Sequence, residues 1–212
     1  MSANRIGVVI LAASLMAPIA GCKGRTPAAS PATTASPTAA PPTERVVGPL
    51  SPEEAATLAV MNDKIFEYVV LHRRLEGGLA KVPVDATPEQ IDTFQRALES
   101  QVRAARTSAK QGDLFTPEAR VVIRRLLATI FAGADGKELK ESVLDETPVG
   151  VKIAVNGRYP DNVPMSTIPP QVLQTLPKLA EEMEYRFVGD ALILLDVHAH
   201  VIADFIPDAL PK

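Results

Sequence analysis

Tyr185-Arg186-Phe187-Val188-Gly189-Asp190-Ala191-Leu192-Ile193-Leu194-Leu195-Asp196-Val197 is the stretch that decides the fold. Two apolar runs flank Gly189-Asp190, a pair suited to a two-residue hairpin loop. That loop sets Val188 opposite Ala191, Phe187 opposite Leu192 and Tyr185 opposite Leu194, so large apolar groups gather on one sheet face. Val201 to Ile206 reads as a third strand. Upstream, Val149, Val151, Ile153 and Val155 alternate with Gly150, Lys152, Ala154 and Asn156, which predicts a further strand over 149–155. Residues 157–183 are proline-bearing and irregular, apart from a short helix at 169–176 begun by Ser166 or Thr167. The 157–170 loop reads as a cover on the sheet, with recognition as its alternative.

Further upstream the period becomes helical. Ser51-Pro52-Glu53, Thr87-Pro88-Glu89 and Thr116-Pro117-Glu118 share one start signal: a hydroxyl that caps free amides, a proline at the first helical position and an acid at the positive end of the dipole. Glu54 and Gln90 complete capping boxes. The first helix should span 52–77 with Leu58, Met61, Ile65, Val69, His72 and Leu75 on its buried stripe, ended by Gly77-Gly78. The second should span 88–110, burying Ile91, Phe94, Leu98, Val102 and Ala105 and exposing Arg96, Glu99, Arg103, Arg106 and Lys110. A third covers 117–132 with Val122, Leu126 and Ile130 inward, and a short one covers 137–144 with Asp135 as its cap. The expected fold class is α+β: an N-terminal helical layer packed on a small, mainly antiparallel C-terminal sheet, in one domain over 50–212 that is helical over 50–147 and strand and loop over 148–212.

The composition is that of a folded protein. Of 212 residues 46% are hydrophobic, and 22 basic against 25 acidic groups leave a formal charge of -3. No global positive field awaits phosphates, which argues against a nucleic-acid partner. One cysteine excludes an internal disulfide and a thiolate-rich zinc site.

That cysteine closes the leader. Arg5 precedes an apolar run from Ile6 to Ala20, too short at about 1.5 Å per residue for a roughly 30 Å hydrocarbon slab. Ile19-Ala20-Gly21-Cys22 resembles the bacterial lipobox. The resemblance implies cleavage between Gly21 and Cys22, removal of the signal peptide 1–21, and diacylglycerol plus an amide-linked acyl chain such as palmitate on Cys22. Several acyl chains hold a protein on a membrane where one binds reversibly. Lys23 stands where inner-membrane-retained lipoproteins of enterobacterial type often carry Asp, so the same resemblance favours an outer-membrane address facing the periplasm. From Lys23 to Pro49, 19 of 27 residues are Pro, Ala, Ser or Thr, including six prolines, so 22–49 reads as lipidated cysteine and tether. The globular part is similar to uncharacterised exported bacterial proteins.

Leu195 to Val201 resembles the Asp-x-His-x-His strand end of amidohydrolases, where both histidines bind metal. There the motif closes the first strand of an eight-stranded barrel, which needs some 200 or more further residues; 12 follow His200. Outside that family, Asp196, His198, His200 and Asp204 share parity and would share one face of an extended chain, a set of imidazoles and carboxylates that suits zinc. The alternative is a plain turn at His198-Ala199-His200. His72, on an apolar stripe, reads as a hydrogen-bonded core histidine. No serine elbow, Walker loop or His-Glu-x-x-His helix occurs. Charge is uneven: residues 96–125 carry seven basic and three acidic groups, and residues 160–212 carry three and eight. Such polarity could turn a basic helical face toward anionic headgroups or cell-wall carboxylates. The function expected is that of a lipid-anchored, non-catalytic envelope module that needs no cofactor and binds an envelope protein or cell-wall component. Its alternative is a metal-assisted envelope hydrolase built on Asp196, His198, His200 and Asp204.

Overall fold

Among the described residues five helices precede three strands: α1 (Pro52–Glu76), α2 (Pro88–Ala105), α3 (Pro117–Phe131), α4 (Gly136–Asp145), α5 (Pro170–Thr175), β1 (Met183–Val188), β2 (Ala191–Asp196) and β3 (Val201–Ile206). The computed structural model describes residues 48, 50–146 and 150–212; the leader, Cys22, nearly all of the tether and Val149 of the expected strand lie outside the described residues. The class is α+β, with the helices first and an antiparallel sheet of order β1-β2-β3 after them. No helix among the described residues is long and apolar enough to cross a membrane.

Each long helix begins as its first residues dictate. Ser51 and Thr87 accept from the Glu54 and Gln90 amides while those side chains reach back, closing two capping boxes, and Thr116 accepts from the Ala119 amide. The buried stripe of α1 is Leu58, Met61, Ile65, Tyr68, Val69 and His72. It packs with Ala119, Ile123, Leu126 and Leu127 of α3 and with Leu98 and Val102 of α2 in one core that includes the front face of the sheet. On that face Phe115 stacks on Tyr185, and Phe131 meets Phe187 edge-on, both at 6.3 Å between ring centroids.

The hairpin register is the expected one: Val188 pairs with Ala191, Phe187 with Leu192 and Tyr185 with Leu194, with Gly189 at a φ of 61°. All six residues of β2 are buried, because the central strand is covered on both faces. Behind it Val188, Ile193, Leu195 and Ile202 form a second cluster with Tyr159, closed by Val151, Ile153 and Val163.

This cover corrects the strand expected over 149–155. Residues 151–154 alternate their side chains toward the rear cluster but form no ladder. The pairing comes slightly later, where Asn156 N–H donates to Ile202 O, Ile202 N–H to Gly157 O and Tyr159 N–H to His200 O along the free edge of β3. A two-residue period reports which side faces the core, and a cover strip satisfies it as well as a strand does. The 157–170 loop continues the cover: Tyr159 is fully buried with its hydroxyl on Pro164 O, and Ser166 Oγ donates to Phe187 O.

Helix α2 also departs from expectation. It stops at Ala105, since Arg106 leaves helical geometry and turns inward to donate to Asn156 Oδ1 and Ala203 O. Arg106 is therefore buried, and so is Glu99, which Arg103 and Arg158 engage, whereas Ala105 and Ile91 are exposed. Asp135 stands at the start of α4 without a side-chain cap bond, and Pro169, not Ser166 or Thr167, precedes α5.

Candidate functional site

Asp196, the last residue of β2, faces α1 because it shares parity with Leu192 and Leu194 on the front face. Its side chain is fully buried and fully engaged. Tyr68 Oη donates to Oδ2 at 2.6 Å, His72 Nδ1 lies 2.6 Å from the same oxygen, and Ala199 N–H donates to Oδ1 at 2.8 Å. A carboxylate only accepts, so His72 carries a proton on Nδ1 and presents Nε2 on the opposite side of the ring.

One helical turn on, Glu76 Oε2 lies 3.5 Å from His72 Nε2, and Glu76 Oε1 lies 2.9 Å from Nδ1 of His198. The two histidine rings tilt past each other at 5.4 Å. Tyr68, His72 and Glu76 thus follow at intervals of four along α1, which puts all three on the side that meets the 197–200 turn. Arg73 salt-bridges Glu182, whose backbone carbonyl accepts from Val197 N–H and so fixes the start of that turn. Arg106 completes the surroundings, its guanidinium carbon 4.8 Å above the Tyr68 ring.

These contacts set the protonation preferences. Burial opposes a charged His72, yet the hydrogen bond and charge of Asp196, with Glu76 and Glu182 nearby, outweigh it and raise its pKa above the ordinary histidine value. Burial and then the Asp196 charge push the Tyr68 hydroxyl well above the usual tyrosine range. Glu182 feels burial as well, but the Arg73 guanidinium prevails and holds it below the usual carboxylate value.

Glu76 and His198 are partly exposed and form one wall of a cleft of about 620 Å³ between the end of α1, the 79–82 segment and α2. Leu79, Val82, Ile91, Phe94 and Val197 make its walls apolar, with Arg73 and Lys81 also on its lining. This explains the exposed Ile91: the N-terminal part of α2 lines a recess where a core contact was expected.

The four residues proposed from parity do not converge. Asp196 is held by α1. His198 turns to Glu76. His200, at a φ of 56°, turns to the rear, where it stacks on Tyr159 at 5.8 Å and approaches Asp161 at 3.4 Å. Burial and the charge of Arg158 lower its pKa. Asp204 accepts from the amides of Gly112, Leu114 and Phe115 and organises the loop before α3. The extended-chain parity fails because the chain reverses at 197–200, sending its two histidines to different sides. What brings His72 and Glu76 to the site is their i, i+4 spacing, and that spacing stands in the sequence.

The basic face is largely consumed inside the molecule. Arg96 pairs with Asp92 and Asp161, Arg103 with Glu99 and Arg125 with Glu54, while Arg124 donates to the carbonyls of Pro207 and Asp208. Searched against known protein families, curated proteins and solved structures, the chain matches none.

Proposed function

We propose that the protein is a lipid-anchored module of the bacterial cell envelope whose folded part binds an envelope ligand in the cleft beside His198 and performs no chemistry on it. The observation that carries the address is Ile19-Ala20-Gly21-Cys22, which places the chain's one cysteine where lipidation requires it. In support of binding, the cleft combines apolar walls with a polar end at Glu76 and His198, the make-up of a site that takes an apolar body and orients it by a few polar contacts. The residues 22–49 would act as the spacer between bilayer and module.

Two measurements test this reading. Wild type and Cys22→Ala are expressed in a bacterial host, fractionated, and their mature N-terminal peptides weighed; lipid on Cys22 with membrane recovery is expected for wild type alone. A soluble, unlipidated wild type would remove the anchor. A photoreactive residue replacing Val82, at the mouth of the cleft, should give an envelope adduct that the same residue at exposed Val121 on α3 does not. Equal labelling at both positions, or none, would remove the binding role.

A further inference from the structure

Helix α1 offers His72 and Glu76 four residues apart, and the turn after β2 brings His198 to them. The ligand-capable atoms of the three side chains all lie within 4.8 Å of one another. His72 is rigid: it is fully buried, and its Nδ1 is fixed by Asp196. Its other nitrogen, Nε2, is buried without a hydrogen-bond partner. With one ring proton on Nδ1, Nε2 faces the Glu76 carboxylate across 3.5 Å, a gap that either a proton on Nε2 or a metal ion in its place fills.

We propose that His72 Nε2, a Glu76 carboxylate oxygen and a His198 ring nitrogen bind a divalent transition-metal ion of the zinc type. Two imidazoles and one carboxylate are a recognised zinc donor set. Metal bonds of about 2.0–2.1 Å imply a tetrahedral edge of roughly 3.4 Å, and the His72 to Glu76 separation already matches it. His198 is the adjustable member, being partly exposed on a turn. Asp196 supplies the outer carboxylate that orients a metal-bound histidine through its second nitrogen, which accounts for a charged group buried at the end of the central strand. Glu76 and His198 lie on the cleft, so the fourth position opens toward it for water or for a donor atom of the bound ligand. The site uses neither Cys22 nor the tether and stands or falls apart from the anchor.

The test is zinc titration of the full chain, purified in detergent and stripped with a chelator, followed by calorimetry and by the visible spectrum of a cobalt-substituted sample. Wild type should take up one ion per chain with a Kd below about 1 µM and show the intense bands of tetrahedral cobalt. His198→Ala and the shape-conserving Glu76→Gln should each weaken binding by at least about tenfold while the metal-free protein keeps its far-ultraviolet circular dichroism. His200→Asn, which removes the turn's other histidine with a residue tolerant of positive φ, should bind as wild type does. The proposal is overturned if wild type takes up no zinc, if both His198→Ala and Glu76→Gln bind it undiminished, or if His200→Asn abolishes binding as completely as they do.

Discussion

His72 on the first helix and Asp196 at the end of the central strand, 124 positions apart, are joined at 2.6 Å with both side chains sealed from solvent. The pair ties the helical layer to the sheet at one polar point within an apolar core. Its oxygen also serves Tyr68, so α1 is held at two successive turns by one residue.

Replacing Asp196 with Asn should therefore be costly. The amide would set an N–H group against donors that now find a carboxylate, and a buried hydrogen-bonded charge pair broken from one side typically loses about 3–5 kcal/mol. Urea unfolding should show a lower midpoint with an unchanged slope.

Asp204 is the second such clamp. Its carboxylate gathers amides from Gly112, Leu114 and Phe115, so Asp204→Asn should destabilise by about 1.5–3 kcal/mol, the range for hydrogen bonds to a charged group. Amide exchange should accelerate first at 112–115, before the sheet responds.

Gly136 begins α4 against the end of α3. A Cβ added there would stand 2.0 Å from the carbonyl oxygen of Phe131, a contact that only backbone movement can relieve. Gly136→Ala should cost at least about 1–3 kcal/mol, as overpacking does, and a thermal melt would register it.

Arg73 and Glu182 give a pH signature. Because Arg73 holds the folded-state pKa of Glu182 below its ordinary value of 4.5, the pair stabilises above that pH and loses its contribution as pH falls through the depressed folded value. The stability gap between wild type and Arg73→Gln should be full at pH 6 to 7 and close progressively below about pH 4.5. A gap that stays constant down to pH 3 would contradict the assignment.

Much of the architecture was legible in residue patterns. The hairpin about Gly189-Asp190, the capping boxes at Ser51 and Thr87 and the stripe of α1 are local signals, each with a stereochemical cause, and the structure repeats them. A local pattern misleads where it has two tertiary realisations. Val151 and Ile153 face the core as strand residues would, yet belong to a cover strip. Arg106 looked like one more solvated cation on α2, and only the position of Ala203 and Asn156, far along the chain, draws it inward. The site divided likewise. Asp196 and His198 stood out by type, but parity bound them to His200 and Asp204, because the reversal at 197–200 comes from backbone angles that composition does not declare. His72 and Glu76 lay in plain view at helical spacing, without a signal for which turn would meet them.

The two buried carboxylates also bear on the order of events in folding. Asp196 and Asp204 reach back 124 and about 90 positions, to groups on α1 and on the loop before α3. Until strands β2 and β3 are in place, the Tyr68 hydroxyl and the amides of Gly112, Leu114 and Phe115 lack their carboxylate partners, and the apolar stripes of α1 and α3 lack the sheet that covers them. The helical half emerges first in synthesis, yet Tyr68, His72 and the loop before α3 find their carboxylate partners only on the closing strands. Contacts of such separation slow folding, so a chain threaded through a membrane from its N-terminus would cross with its earliest helices still unfinished, their final geometry waiting on its closing strands.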